Sequence, residues 1–288
     1  MPVLTPTSLA DAVAALAEHP DAVALAGGTD LMVEVNEGRR RLAGNEVVLA
    51  LGGVPELTSF TIDRAARRVT LGAAVRWATI EREPLCSLVP ALAEAARTVG
   101  SPQIRNAGTV GGNLATCSPA GDGLPVLAAL EATVELASPL GGRTLPVAEF
   151  MRGVKRTALE PGEMISAVHL PLLDGWQGYS KVGVRNAMVI ATASACVATD
   201  VPTASVRIAL GSVAPTIIRA GAAEALAAAA ADWSARTIDP DAARHAGRLA
   251  AEASTPITDH RSTADYRRRA VAVMVERLLR RAFPEVAR

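Results

Sequence analysis

Two glycine-containing loops carry the residues of this chain that could bind a phosphate group. The first comprises Leu25, Ala26, Gly27, Gly28, Thr29, Asp30 and Leu31, between a short predicted strand and a predicted helix. Paired glycines let successive backbone N–H groups face one concavity, and the start of a helix adds further unpaired N–H groups, which together suit a pyrophosphate. Asp30 would repel a phosphate, so we expect it to cap the helix. An ordinary tight turn explains this loop equally well.

The second loop comprises Thr109, Val110, Gly111, Gly112 and Asn113. Its glycines permit close backbone approach, and the side chains of Thr109 and Asn113 offer hydrogen bonds. Residues 118–122 follow and end at Asp122. This carboxylate could accept a hydrogen bond from a ribose hydroxyl, or it could cap a helix that begins near Gly123. The sequence leaves these two roles open.

Together the loops predict a dinucleotide held at two places along its diphosphate. The chain has no G-x-G-x-x-G fingerprint and no G-x-x-x-x-G-K-[ST] motif, which excludes the Rossmann and P-loop types of site. Neither loop contains Lys or Arg. Phosphate binding would therefore rest on neutral backbone donors and helix ends, and we expect it to depend weakly on salt.

Composition narrows the class of protein. The 288 residues are 50% hydrophobic, and 29 basic side chains balance 29 acidic ones, so no net charge attracts nucleic acid. The cluster Arg267, Arg268 and Arg269 is expected to lie on the solvated face of a terminal helix. No apolar run reaches membrane-spanning length, and residues 1–11 lack a signal core. We expect a cytoplasmic protein without a membrane partner.

The potential metal ligands show no pattern of their own. The three cysteines, Cys86, Cys117 and Cys196, are isolated from one another, as a reducing cytosol allows. The four histidines show no ligand spacing. We therefore predict neither a metal site nor a catalytic residue, and we expect Cys117 to be a small buried thiol.

The elements that position the loops follow from apolar periodicity and turn residues. A capping pattern at Ser8 predicts a helix, and paired glycines at 141–142 predict a hairpin turn. After Pro171, closely spaced strands predict an antiparallel sheet, followed by Ala- and Arg-rich helices. Predicted strands cover residues 22–25, 47–51, 69–71, 133–136, 179–184, 190–198 and 205–210, and further predicted helices cover residues 30–37, 90–99, 123–130, 220–231, 241–253 and 263–282.

Four motifs carry a family resemblance. The stretch 98–113 (Thr-Val-Gly-Ser-Pro-Gln-Ile-Arg-Asn-Ala-Gly-Thr-Val-Gly-Gly-Asn) and its continuation 118–122 resemble the FAD-binding medium subunit of molybdenum hydroxylases. The loop 26–31, the segment 179–190 and the tail 266–269 are similar to the same family. Bacterial xanthine dehydrogenases and carbon monoxide dehydrogenases belong to it, and the likeness to the former is the greater.

The resemblance implies an α+β chain with the vanillyl-alcohol-oxidase-like (PCMH-type) FAD-binding fold. Two α/β subdomains, 1–55 and 56–172, would enclose FAD, and a C-terminal domain, 173–288, would combine an antiparallel sheet with helices. By position, the two glycine loops would hold the pyrophosphate, Asp122 the adenosine side and Ile165 the flavin region. Val99 replaces an aromatic residue that animal relatives place near the adenine. Lys181 matches a lysine that approaches the flavin ring in some relatives, although an exposed strand lysine is the alternative.

The implied function is electron transfer through one non-covalent FAD. A small partner subunit with [2Fe–2S] clusters would deliver electrons, a large partner would hold molybdopterin, and NAD⁺ or another acceptor would receive the electrons. The assembly would be a dimer of heterotrimers, and the chain would be inactive alone. Two alternatives are a self-contained flavin reductase, for which the chain shows no proton-donor motif, and a non-catalytic scaffold in which the glycine loops are only turns.

Overall fold

The N-terminal region is built on a small parallel sheet. Its elements are β1 (Val3–Leu4), α1 (Leu9–Glu18), β2 (Val23–Leu25), α2 (Leu31–Asn36), β3 (Val48–Ala50), a 3-10 turn (Leu51–Gly53) and α3 (Pro55–Thr58). The computed structural model of the chain describes residues 2–41 and 43–284. The sheet has the order β1-β3-β2, and Ser8 caps α1 as predicted. The loop after β2 therefore leaves the carboxyl edge of parallel strands, where open α/β sheets bind ligands.

The middle region is a five-stranded antiparallel sheet with short helices. Its elements are β4 (Phe60–Asp63), β5 (Arg68–Gly72), α4 (Trp77–Ile80), α5 (Leu85–Leu88), α6 (Pro90–Thr98), α7 (Pro102–Ala107), α8 (Val110–Thr116), α9 (Gly123–Ala129), β6 (Thr133–Ser138), β7 (Gly141–Pro146), α10 (Val147–Phe150), β8 (Met151–Gly153), β9 (Arg156–Thr157) and β10 (Met164–Pro171). The order β4-β5-β10-β6-β7 places β10 at the centre. The core consists mainly of Leu, Val and Ala, as the scarcity of aromatic residues predicts.

The C-terminal region is a four-stranded antiparallel sheet covered by three helices. Its elements are β11 (Gln177–Val182), β12 (Ala193–Asp200), β13 (Ser205–Gly211), β14 (Ile218–Arg219), α11 (Gly221–Ala230), β15 (Ala231–Asp232), β16 (Thr237–Ile238), α12 (Pro240–Ala253) and α13 (Ala264–Ala282). Side chains alternate between its two faces. Cys196 and Ala198 join the core of the middle region, whereas Ala195 and Val197 join a second core beneath the helices. One face of this sheet therefore packs in the core of the middle region, and the other face packs in the core beneath the helices.

The mixed helix-and-sheet class is confirmed, and two predicted details are wrong. The hairpin turn lies at Pro139 and Leu140, because Gly141 already pairs with Ser138 in the ladder. The strand expected from residue 190 begins at Ala193 instead, because Ala193 pairs with Val182, the last residue of the partner strand β11. The domain limits 1–55, 56–172 and 173–288 stay a prediction.

Helix α13 corrects the expectation for the arginine cluster. Arg267 is only 4% exposed, and its guanidinium donates to the carbonyls of Thr192 and Ser212 and to Asp259. The amide of Ser212 in turn donates to the carbonyl of Pro119, so Arg267 connects α13 to the segment that follows the second glycine loop. Within residues 2–41 and 43–284, no helix is long and apolar enough to cross a membrane.

Candidate cofactor site

The two glycine loops lie against each other. A Cβ atom on Gly27 would lie 2.0 Å from the carbonyl oxygen of Ala107 and 2.9 Å from the Cα of Gly108, so only glycine permits this approach. Farther along, the Thr116 hydroxyl donates to Asp30 Oδ2 at 2.8 Å. Loops that are distant in sequence therefore form one continuous surface.

The first loop offers a row of unpaired amides. Gly28 has a φ of +69°, and the first amide after it that donates to the protein is that of Met32, to the carbonyl of Gly28. Across the described ranges, no backbone amide from residue 26 to residue 31 donates to a protein acceptor. Successive N–H groups without a protein acceptor make an anion-binding concavity. This loop is therefore suited to bind a ligand.

The second loop uses its amides differently. Val110 donates to the carbonyl of Val75, Gly111 to that of Ala73, and Gly112 to the Thr109 hydroxyl. The expectation that these glycine amides face a diphosphate is therefore not met, because the protein already satisfies them. A Cβ on Gly111 would lie 2.6 Å from the Ala73 carbonyl oxygen, so this glycine serves close packing.

A cavity of about 500 Å³ lies between the loops. This volume is in the range of small-molecule and cofactor pockets. The predicted residues that line it are Leu25, Ala26, Gly27, Gly28, Thr29, Asp30, Leu31, Val99, Thr109, Gly111, Gly112, Asn113, Asp122 and Ile165. Val110 and Lys181 do not line it, because Val110 is fully buried in the core and Lys181 lies behind the wall.

Several residues that line the cavity are not indicated by the sequence patterns. Trp77 was not predicted, although it is one of the few aromatic residues of the chain. Its indole packs against Gly123, where a Cβ would lie 2.4 Å from the ring. Met188, Val189 and Ile190 were also missed as individual residues, and the only signal for them was their place in the motif 179–190.

No basic side chain is among the described residues that line the cavity, whereas Asp30, Asp122 and Glu163 are. Glu163 is paired with Arg143, whose guanidinium holds the pKa of that carboxyl below its usual range. Asp30 precedes α2 but makes no capping hydrogen bond, so the prediction that it caps the helix is wrong. A diphosphate in this cavity would meet neutral donors.

Asp122 sits in a buried hydrogen-bonded group. It precedes α9 without capping it, and instead accepts from the Tyr179 hydroxyl and from Lys181 Nζ, each at 2.8 Å. Burial raises the pKa of the Asp122 carboxyl, and the Lys181 ammonium opposes that shift. The helix-cap alternative for Asp122 is therefore wrong. The Lys181 side chain is 8% exposed, so the exposed-lysine alternative is wrong too.

Asn113 carries an unsatisfied polar atom. Its Oδ1 is buried and has no hydrogen-bond partner among the described residues, yet Asn113 lines the cavity. Buried polar atoms are almost always paired, so an orphaned acceptor in a cavity indicates a ligand that donates to it. Ribose hydroxyls, the adenine amino group and the flavin N–H are donors of this kind. The residues present thus fit FAD.

Among the described residues, no group of three or more His, Cys, Asp or Glu side chains could hold a metal ion. Cys117 ends α8 in the left-handed conformation and is 3% exposed, and burial raises the pKa of its thiol. The expectation of a small buried thiol is confirmed.

The chain matches known protein families over nearly its whole length. The family described as "FAD binding domain in molybdopterin dehydrogenase" matches residues 1–173, and "CO dehydrogenase flavoprotein C-terminal domain" matches residues 179–282. The nicotine 6-hydroxylase medium subunit of Paenarthrobacter nicotinovorans is 32% identical over 96% of this chain and 94% of its own length. The carbon monoxide dehydrogenase medium chain of Afipia carboxidovorans is also 32% identical, over 96% and 94%.

Solved structures are similar over the whole chain. Quinoline 2-oxidoreductase from Pseudomonas putida superimposes with a TM-score of 0.87 at 27% identity, covering 98% of this chain and 96% of that one. Carbon monoxide dehydrogenase from Oligotropha carboxidovorans gives 0.86 at 30% identity, covering 99% and 98%. The chain therefore belongs to the FAD-binding medium subunits of molybdenum hydroxylases.

Proposed function

We propose that this chain binds one FAD non-covalently in the cavity and transfers electrons as one subunit of a molybdenum hydroxylase. The observation that carries the proposal is the row of unpaired amides from residue 26 to residue 31 at the cavity wall, beside the unpartnered Oδ1 of Asn113. Together they supply donors for a diphosphate and an acceptor for a hydroxyl or amino group.

Each part of the cavity has a proposed role. The amides of residues 26–31 would hold the diphosphate, with Thr109 and Asn113 adding side-chain hydrogen bonds. Asp122 would accept from the ribose on the adenosine side, and Val99 would give the adenine an apolar contact. Ile165 would pack near the flavin. Lys181 Nζ already donates to protein oxygens, so contacting the flavin would require it to give up one of them.

The protein's part in the chemistry is binding, orientation and exclusion of water. Bound FAD supplies a redox centre that can take up electrons singly and release them in pairs. A small partner with [2Fe–2S] clusters would donate those electrons, a molybdopterin-containing large partner would hydroxylate the substrate, and NAD⁺ or another acceptor would receive them. A dimer of heterotrimers in the cytoplasm and inactivity of the isolated chain complete the proposal. Relatives named medium subunit or medium chain support it.

Titration of the purified, FAD-free chain tests the binding step. We expect one FAD per chain, observed as a bound-flavin absorption spectrum, and no oxidation of small molecules by the chain alone. Gly28→Ala should weaken binding, because φ at Gly28 is +69° and the strained loop would reorient its amides. Gly44→Ala is the matched control, since an added Cβ there has no neighbour within 4 Å. A chain that takes up no FAD would contradict the proposal.

Co-expression tests the assembly step. With chains that carry the clusters and molybdopterin, we expect this chain to co-purify as part of a complex. Persistence of the chain as a free monomer in their presence would contradict its proposed role as a subunit.

A further inference from the structure

Lys181 joins three separate segments behind the cavity wall. Its Nζ donates to the Thr98 carbonyl at 2.8 Å, to Asp122 Oδ2 at 2.8 Å and to the Val189 carbonyl at 3.0 Å. These acceptors lie at the end of α6, at the start of α9 and between β11 and β12. An ammonium has three donors, so all of its hydrogen-bonding capacity is directed at the protein.

Each of these contacts is at or next to the cavity surface. Asp122 and Val189 line the cavity, and Thr98 precedes Val99, which also lines it. Lys181 itself does not line the cavity. The Lys181 side chain is therefore hydrogen-bonded to three segments that line or adjoin the cavity, although it does not line the cavity itself.

A neighbour on the same strand reinforces this arrangement. Tyr179 and Lys181 share one face of β11 because strand side chains alternate. The Tyr179 hydroxyl donates to Asp122 Oδ1, and its amide donates to Glu94 Oε2 on α6 at 2.6 Å. Strand β11 is thus tied twice to α6 and twice to Asp122.

The hydrogen bond from Lys181 to Val189 helps to fix the position of the segment 183–190. Its apolar side chains Val184, Met188 and Ile190 are more than half exposed, so packing secures them weakly. Arg185 donates within the same segment, to the carbonyls of Ala187 and Met188. The hydrogen bond from Lys181 to Val189 instead ties the part of the segment that lines the cavity to the protein interior.

We propose that Lys181 is a positioning residue, which holds the Val99, Asp122 and Val189 parts of the wall together and thereby fixes FAD affinity and the shielding of the flavin from solvent. This inference rests on the proposed FAD binding. It differs from a role as a direct flavin contact, and also from a role as a mere counter-ion of Asp122.

The test uses the full chain, titrated with FAD, and measures the dissociation constant and the quenching of flavin fluorescence by iodide. Lys181→Met should weaken FAD binding about ten- to a hundredfold and increase iodide quenching, because buried charge-assisted hydrogen bonds are lost. Lys181→Arg should recover part of the affinity, since it keeps a cation with several donors. Lys155→Met is the matched control, because Lys155 forms an exposed pair with Glu34 and does not line the cavity.

Two further variants separate positioning from charge balance. Asp122→Asn measures the loss of the carboxylate alone, and Lys181→Met combined with Asp122→Asn leaves no buried unpaired charge, so this double variant should fold. If Lys181 positions the wall, the double variant binds FAD more weakly than Asp122→Asn and is quenched more by iodide. Equality of these two variants would overturn the inference, as would Lys181→Met with wild-type affinity and quenching. A wild-type chain that takes up no FAD would instead overturn the proposed function.

Discussion

The two glycine loops look alike in sequence and differ in what their amides do. The loop 25–31 leaves its amides from residue 26 to residue 31 without a protein acceptor, whereas Val110, Gly111 and Gly112 donate theirs to the protein. Both loops line the same cavity, and Gly27 of the first loop packs against Ala107 and Gly108, which directly precede the second loop.

Glycine serves two structural purposes in these loops. In the first loop, glycine permits a left-handed residue at Gly28 and a set of amides available to a ligand. In the second loop, Gly111 lets α8 pack on the Ala73 backbone and bring Asn113 to the cavity. The first loop therefore offers backbone amides to a ligand, whereas the second loop offers the side chains of Thr109 and Asn113. Substitutions in the two loops should therefore have different consequences.

The largest expected effects come from the two close-packed glycines. Gly27→Ala places a Cβ 2.0 Å from the Ala107 carbonyl oxygen and should force the loops apart, weakening FAD binding about a hundredfold. Gly111→Ala should instead lower the free energy of unfolding by about 1–3 kcal/mol, with FAD affinity of the folded protein changed by less than about fivefold. Thermal melts and FAD titrations of both variants measure this. If both variants lost FAD affinity and unfolding free energy to the same extent, the two loops would not differ in function.

Substitution of Asn113 should have the next largest effect, and it should change FAD affinity without changing the stability of the fold. Asn113→Leu removes the unpaired Oδ1 and should weaken FAD binding about tenfold, since a hydrogen bond to the ligand is lost. Asn45→Leu, at an exposed position, is the control and should leave binding unchanged. Isothermal titration calorimetry with FAD measures the affinity of both variants. An unchanged affinity for Asn113→Leu would mean that Oδ1 does not meet the cofactor.

Salt should have a small effect on FAD retention. Because no basic side chain is among the described residues lining the cavity, raising the salt from about 0.05 M to about 0.5 M should weaken binding by less than about threefold. Flavin fluorescence during a salt titration measures this. A steep loss of flavin would indicate that cations, rather than amides, hold the diphosphate.

The smallest effect concerns the pH dependence of stability through Glu163. Arg143 lowers the pKa of Glu163 in the folded state below the ordinary value of 4.5, so the pair stabilises the fold above that value and this contribution is lost as the pH falls through the lower folded-state pKa. The contribution should be small, because the Arg143 side chain is partly exposed and solvent screens the pair. Glu163→Gln should make the free energy of unfolding, measured with urea, fall less steeply as the pH is lowered into the acid range. An unchanged fall in the acid range would exclude this pair as its source.

Much of the fold and part of the site could be predicted from local patterns. The Ser8 cap, the strands next to the first loop and the C-terminal helices follow from signals within a few residues of each other. The cavity residues in the glycine motifs were predicted because glycine pairs and neighbouring polar residues carry the signal.

The rest depends on contacts between distant residues. Asp122 and Lys181 form a buried pair that no spacing reveals, and Arg267 is buried although it belongs to a run of arginines. Whether a glycine amide is free or paired depends on which backbone carbonyl lies next to it. The Gly111 amide is paired because the Ala73 carbonyl lies next to it. Side-chain patterns contain no information on that pairing.

Hydrogen–deuterium exchange with and without FAD can show which of the two loops binds the cofactor through its amides, because it reports on each amide separately. We expect FAD to slow exchange at residues 26–31 by about tenfold or more, since these amides gain acceptors only from the ligand. The amides of residues 110–112 should already exchange slowly without FAD and change little. Strong new protection at 110–112, or none at 26–31, would show that the first loop does not bind FAD through its amides as proposed.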